Sequence, residues 1–262
     1  MNLKSMSPIR AALLALMLLF VPAAYADGKA PYPIWWSPVL ELESLDKIDE
    51  RLDRPLWPGE EDFRIFVGIG SNRRTEIAQS CADIRRFEKE ASGAIESPDI
   101  YLWLTVYREC SPIERFMDAK PAVESFVTNF VLNADALNYL PAMLRGSPAC
   151  ESLCRLYDAN HNRTPLALHL DRPFNVMVTS PHKIIIESDF EKFTIEILGR
   201  ADFNDDGLED IFVKTIVKAK EGRWGSQQFF TLVRDEPDGV LWVLDAEDYV
   251  CSPESYHKCD TQ

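Results

Sequence analysis

The chain has 262 residues, 46% of them apolar and 27% charged, with 28 Lys and Arg against 42 Asp and Glu. That composition excludes whole-chain disorder and a fibrous fold, and the length suffices for one large domain or two small ones. The formal charge of −14 argues against nucleic acid or an anionic membrane surface as the main partner.

Lys4 and Arg10 precede a nearly unbroken apolar run, Ala11 to Pro22, which closes on Ala24-Tyr25-Ala26. A positive start, about a dozen apolar residues and a small-x-small end make a secretory signal. The run falls short of the roughly 20 residues of a membrane span. Residues 1–26 are therefore expected to be a signal peptide cleaved after Ala26, and the style of the signal points to the periplasm. Without them the chain keeps 26 cations against 42 anions, a charge of −16, and no membrane anchor is expected. The six cysteines all follow the signal: Cys81, Cys110, Cys150, Cys154, Cys251 and Cys259. An even count in an exported chain reads as disulfides, with fifteen pairings open to six cysteines; the sequence offers three local couples, 81 with 110, 150 with 154 and 251 with 259.

Residues 27–147 read as mainly helical. Asp27 to Val39 is Pro-rich and aromatic and is expected to lie extended, with Trp35 and Trp36 tucked into the body. Ser44 is placed to cap a short helix carrying Leu45, Ile48 and Leu52, which Arg54-Pro55 ends. Phe63 to Val67 has strand composition. Ile77, Cys81, Ile84 and Phe87 trace one helical face, which a Cys81–Cys110 disulfide would staple to a second helix starting at Ser97-Pro98-Asp99. Helical spacing recurs from Ile113 to Leu144, interrupted at Pro121 and Pro141. Residues 148–173, with Pro148, Pro165 and the Cys150–Cys154 couple, read as a linker.

After Pro173 the pattern alternates in short runs: Phe174–Val178, Lys183–Glu187, Phe193–Leu198, Ile211–Val217, Phe229–Val233 and Val240–Val243. Turn chemistry separates them. Region 174–262 is expected to be an antiparallel meander with a disulfide-tied tail, and the whole chain an α+β fold with the helical half packed on the sheet.

One motif carries chemistry. Residues 202–210 read D-x-N-x-D-G-x-x-D: Asp202, Asn204, Asp206, Gly207, Leu208 and Asp210. Calcium takes six to eight oxygen ligands. Oxygens at loop positions 1, 3 and 5 curl about one point, position 6 is Gly where the backbone turns sharply, and position 7 offers its main-chain carbonyl. The expected ligands are Asp202, Asn204, Asp206, the carbonyl of Leu208, and Asp210 directly or through water. Asp205 and Glu209 are expected to point outward. The alternative is a metal-free acidic turn, whose five acids would repel one another without return. The calcium is expected to serve structure rather than catalysis.

The loop resembles the calcium loops of FG-GAP and VCBS-type repeats, as a single unit set between two strands. It is similar to an EF-hand over its first nine positions, but position 12 is Val213 and both flanks read as strands. It also resembles GDFNGDGxEDLL-like segments at the ends of exported bacterial proteins. The resemblance spans Phe193 to Val243 and implies a fold element and calcium, with no activity attached.

Other signals favour ordinary structural readings. Ser44-Leu-Asp-Lys47 matches S-x-x-K, but no K-T-G accompanies it. Gly68-Ile-Gly70 is neither a dinucleotide fingerprint nor a nucleophile elbow. His161 and His169 are isolated, and no cysteine pair has zinc-ligand spacing. The resulting expectation is a non-catalytic periplasmic calcium-binding protein that neutralises a protein partner of basic character, as an immunity protein does against a secreted toxin. A structural envelope-maintenance protein and an envelope-directed hydrolase are the alternatives.

Overall fold

The computed structural model describes residues 31–56, 63–67, 74–90, 95–96, 109–146, 150–170, 173–221 and 225–244. The signal peptide, the Ser97-Pro98-Asp99 helix start and the Cys251–Cys259 couple fall outside those residues, as do the side chains of Cys150 and Cys154. Among the described residues no helix is long and apolar enough to cross a membrane.

The alternating runs after Pro173 form an antiparallel meander. Its strands, numbered with those that precede them in the chain, are β5 (Phe174–Ser180), β6 (Lys183–Ser188), β7 (Glu191–Ala201), β8 (Asp210–Ala219), β9 (Gly225–Val233) and β10 (Trp242–Val243), in the order β10-β9-β8-β7-β6-β5. The two Trp residues of β1 (Trp35–Trp36) add a seventh strand, with Trp35 opposite Arg200 and Trp36 opposite Gly199. A smaller sheet of order β3-β2-β4 joins β2 (Phe63–Val67), β3 (Arg74–Ala78) and β4 (Ile95–Glu96). The mixed α+β class is therefore as expected, with the antiparallel sheet in the C-terminal half.

Side chains alternate across a strand, and here both faces are covered. Ile211, Val213, Phe230 and Leu232 enter one core cluster, with Leu137, Leu140, Met143, Leu144, Leu156 and Leu166. Phe212, Phe229 and Leu198 enter a second, with Leu52, Ile84, Phe87, Ile113 and Phe116. Burial on both sides explains the unbroken buried runs at the end of β7, residues 197–201, and at the start of β8, residues 210–213. The register of β7 on β8 shifts between Ile197 and Gly199. A Cβ on Gly199 would lie 2.2 Å from the Phe116 ring and 3.0 Å from the Trp35 carbonyl oxygen, so the absent side chain lets the second cluster close on the strand.

The N-terminal half is less helical than its spacing predicts. Residues 74–78 are strand, and the helix starts only at Cys81 and runs to Glu90. Its start is set by Ser80 and Asp83: the Asp83 N–H donates to Ser80 Oγ (3.2 Å), and Asp83 Oδ2 accepts from the Gln79 N–H (2.9 Å). This is a variant of the capping box, with the carboxylate taking the N–H of the residue before the cap. The expected Cys81–Cys110 disulfide is present and joins this helix to the helical turn at 109–114. Ser44 precedes the 3-10 turn Leu45–Lys47 without a side-chain capping bond; its hydroxyl instead bonds the Asp46 carboxylate. Between 115 and 141 the expected helix is replaced by irregular chain with one 3-10 turn, Asp135–Asn138. Residues 148–173, expected as a linker, contain the helix Cys150–His161, and Leu156, Ala159, Leu166 and Leu170 are buried in the first cluster.

Candidate functional site

The Asp-rich segment is the loop of the β7–β8 hairpin. Ala201 and Asp210 form the last pair of the ladder, so residues 202–209 must turn the chain without ladder bonds. The Asp202 carboxylate supplies the missing acceptors. Its Oδ1 accepts the N–H groups of Asn204 (3.2 Å) and Asp205 (2.7 Å), and its Oδ2 accepts that of Gly207 (2.9 Å). Short polar side chains that capture nearby backbone donors in this way stabilise tight turns. Asp206 repeats the device: Oδ1 accepts the Leu208 N–H (2.7 Å) and Oδ2 accepts the Asn204 side-chain amide (2.9 Å). Gly207 has φ +86° and Asp205 φ +64°, and a Cβ on Gly207 would meet Val123 Cγ2 at 2.9 Å. The glycine is thus required twice, by its conformation and by close approach.

Asp210 begins β8 and is fully buried. Its Oδ2 accepts the Phe203 N–H at 3.0 Å, whereas its Oδ1 is buried with no hydrogen-bond partner. Burial pushes its carboxyl up to about 7, Asp206 and Asp202 add to the rise, and the Phe203 N–H and Arg115 oppose it. A buried carboxylate with one empty oxygen is costly unless a positive charge reaches it. Glu209, expected to point outward, is buried instead. It accepts a hydrogen bond from Ser125 Oγ at 2.5 Å, because its backbone is pinned inward by the Glu209 N–H bond to the Glu124 carbonyl (2.8 Å). Asp205 is exposed as expected and pairs with Lys120 at 2.6 Å.

The loop is docked on a segment that its own sequence did not announce. Lys120 and Asp202 exchange both main-chain hydrogen bonds, at 3.0 and 2.9 Å, and the Gly207 carbonyl accepts from Val123 (2.8 Å) and Glu124 (3.1 Å). Immediately downstream, Arg200 fastens residues 127–130: its guanidinium donates to the carbonyls of Val127 and Thr128, both at 2.9 Å, and of Phe130. Contacts of this kind carry no local sequence signal, and the segment's helical spacing points away from them.

Asp202, Asn204, Asp206, Leu208 and Asp210 are therefore brought into one hairpin loop. Among the described residues, no three His, Cys, Asp or Glu side chains converge as a metal cage; the loop's remaining oxygens come from an amide and from main chain. Comparison with protein-family models, with curated proteins and with solved structures finds no match.

Proposed function

We propose that this chain is an exported, non-catalytic calcium-binding protein that acts by engaging a protein partner, in the manner of an immunity protein that neutralises a secreted toxin. The observation that carries the calcium reading is Asp210, whose buried Oδ1 has no partner, set in a loop where Asp202 and Asp206 turn their carboxylates onto the loop's own N–H groups. Asp202, Asn204, Asp206, the Leu208 carbonyl and Asp210 would hold the ion. Bound calcium supplies two positive charges among acids that otherwise repel one another, and a hard cation suits an all-oxygen donor set. The ion would stabilise the hairpin and, through Lys120, Val123 and Glu124, the segment docked on it.

Partner binding is supported by the charge of −14, which speeds encounter with a basic surface. It is also supported by the apolar side chains left exposed on β5, Met177 at 56% and Val178 at 51%. Calcium titration of the purified protein, followed by calorimetry, is expected to show one saturable site of about 0.1–1 mM, the range of extracellular modules. Asp210→Asn is expected to abolish it. Recovery of one basic partner from envelope extract in calcium, with less recovered in EDTA, supports the full reading. A saturable ion site with no partner recovered would reject the second half and keep the first.

A further inference from the structure

Two arginines, Arg200 and Arg234, are each only 8% exposed, and neither makes an ion pair among the described residues. Their donors are used differently. Arg200 directs both terminal nitrogens onto three main-chain carbonyls. Arg234 uses Nη1 alone, towards the carbonyls of Phe126 (3.1 Å) and Pro237 (3.4 Å). Its Nη2 donates to no described residue, and its Nε is buried without a partner. A guanidinium has five N–H donors; in Arg234 Nε is buried and Nη1 serves two carbonyls, so the two donors of Nη2 are the ones left to pair with a carboxylate.

That capacity lines a cleft. A cavity of about 570 Å³ is bordered by Arg234, Phe130, Tyr139, Asn129, Asp135 and Asp238, among others. The Phe130 and Tyr139 rings each lie 5.4 Å from the Arg234 guanidinium carbon. Such ring contacts hold a guanidinium in place through its positive charge. The volume is that of a small-molecule site. Asp135 and Asp238 bring negative charge to the same cleft, on a chain that is already strongly acidic. A phosphate dianion would be repelled by both. A carboxylate borne by a protonated amine has no net charge and is matched by both signs of the cleft.

We propose that this cleft binds a small zwitterion, with its carboxylate on the Arg234 guanidinium and its ammonium against the Asp135 and Asp238 carboxylates. The ligand class is a free amino acid or the free end of a short peptide, and the inference does not depend on the calcium reading.

Calorimetric titration of the purified protein with L-alanine, trialanine and trialanine amide tests it. Saturable binding of L-alanine or trialanine is expected, and none of the amide. Binding of L-alanine alone identifies a free amino acid as the ligand; binding of trialanine identifies a chain end. Arg234→Met is expected to weaken binding at least about tenfold, by removing a charge-assisted pair. Because Arg234 also packs, Asp135→Asn is the companion variant: Asp135 is exposed, the arginine stays in place, and loss of a carboxylate that faces the ammonium is expected to weaken binding about threefold at low salt, less at high salt. No saturable heat with either free-ended probe at about 10 mM, a concentration at which even a millimolar site would fill, overturns the proposal. So does equal binding of the amide, or an unchanged affinity in Asp135→Asn.

Discussion

The two faces of the large sheet are covered by different means. On one, aliphatic side chains from residues 127–170 pack on Ile195, Ile197, Ile211, Val213 and Leu232. On the other, residues 40–117 approach Leu198, Phe212 and Phe229. There the contacts are largely aromatic, Phe116 lying 6.1 Å from Phe212 of the sheet and 5.4 Å from Phe203 of the adjoining loop, and a disulfide ties the cover to itself. The first cover is continuous with the helix Cys150–His161 and draws its hold from area removed from water. The second has fewer partners on the sheet and is assisted by a constraint on the unfolded chain. One sheet thus supports one cover held by packing and one held partly by a covalent staple.

The largest effect is expected on the packed face. Phe193 is fully buried in the first cluster, and Phe193→Ala is expected to cost about 3–5 kcal/mol from lost transfer and a cavity, read as a lower urea midpoint. Opening the disulfide follows. Cys81 and Cys110 are 29 residues apart, for which loop-closure entropy gives about 3.6 kcal/mol. The comparison is sharpened by where that loss appears. In Cys81→Ser/Cys110→Ser, amide exchange should accelerate at 81–90 and 109–117, while residues 137–144 stay protected, because local stability follows local contacts. Equal acceleration in both covers would mean that the two faces unfold as one unit.

What could be read from the sequence divides along the same line. The strands of the meander are visible because their apolar residues recur in short runs between turn residues, and the β7–β8 loop because Asp202, Asn204, Asp206 and Gly207 cluster between two such runs. The covers are not. Ile77 sits at a helical spacing from Cys81, yet it is 45% exposed on β3, and the true start signal was Ser80 with Asp83. Residues 113–144 have helical spacing but spend their polar groups elsewhere: the Ala122 carbonyl accepts from Tyr32, the Leu132 N–H reaches the Pro181 carbonyl, and Val123 and Glu124 serve the loop. Such partners are distant in sequence, and tertiary context overrides local spacing. Arg234 is invisible for the same reason, since a buried guanidinium with donors to spare is a property of packing.

Calcium removal is expected to have the next effect. The loop touches the chain at 120–125, where the first cover begins, so the ion should stiffen that cover's leading edge. At a hundred times its dissociation constant a ligand adds about 2.7 kcal/mol, or roughly 5–10 °C in a domain of this size. A melting scan in calcium and in EDTA reads it directly. Asp210→Asn should remove the difference. A scan unmoved by EDTA would leave the loop as an acidic turn closed by its own hydrogen bonds.

The smallest effect concerns pH at the margin of the packed face. The His182 ring lies 4.6 Å from Trp35, its Nδ1 is buried without a partner, and burial together with Arg200 holds it below the usual histidine range. The unfolded chain therefore takes up a proton near pH 6.5, whereas the folded chain does so only at lower pH. Between those values the unfolded state binds more protons, so stability must fall as pH drops. Wild type should lose melting temperature between pH 7 and 5 by more than His182→Gln does, with the two curves parallel above pH 7. A variant that tracks wild type throughout the acid limb would assign the loss to the carboxylates instead. It would also show that the edge where Trp35 meets the sheet is open to water, which would make the packed face less uniform than its buried centre.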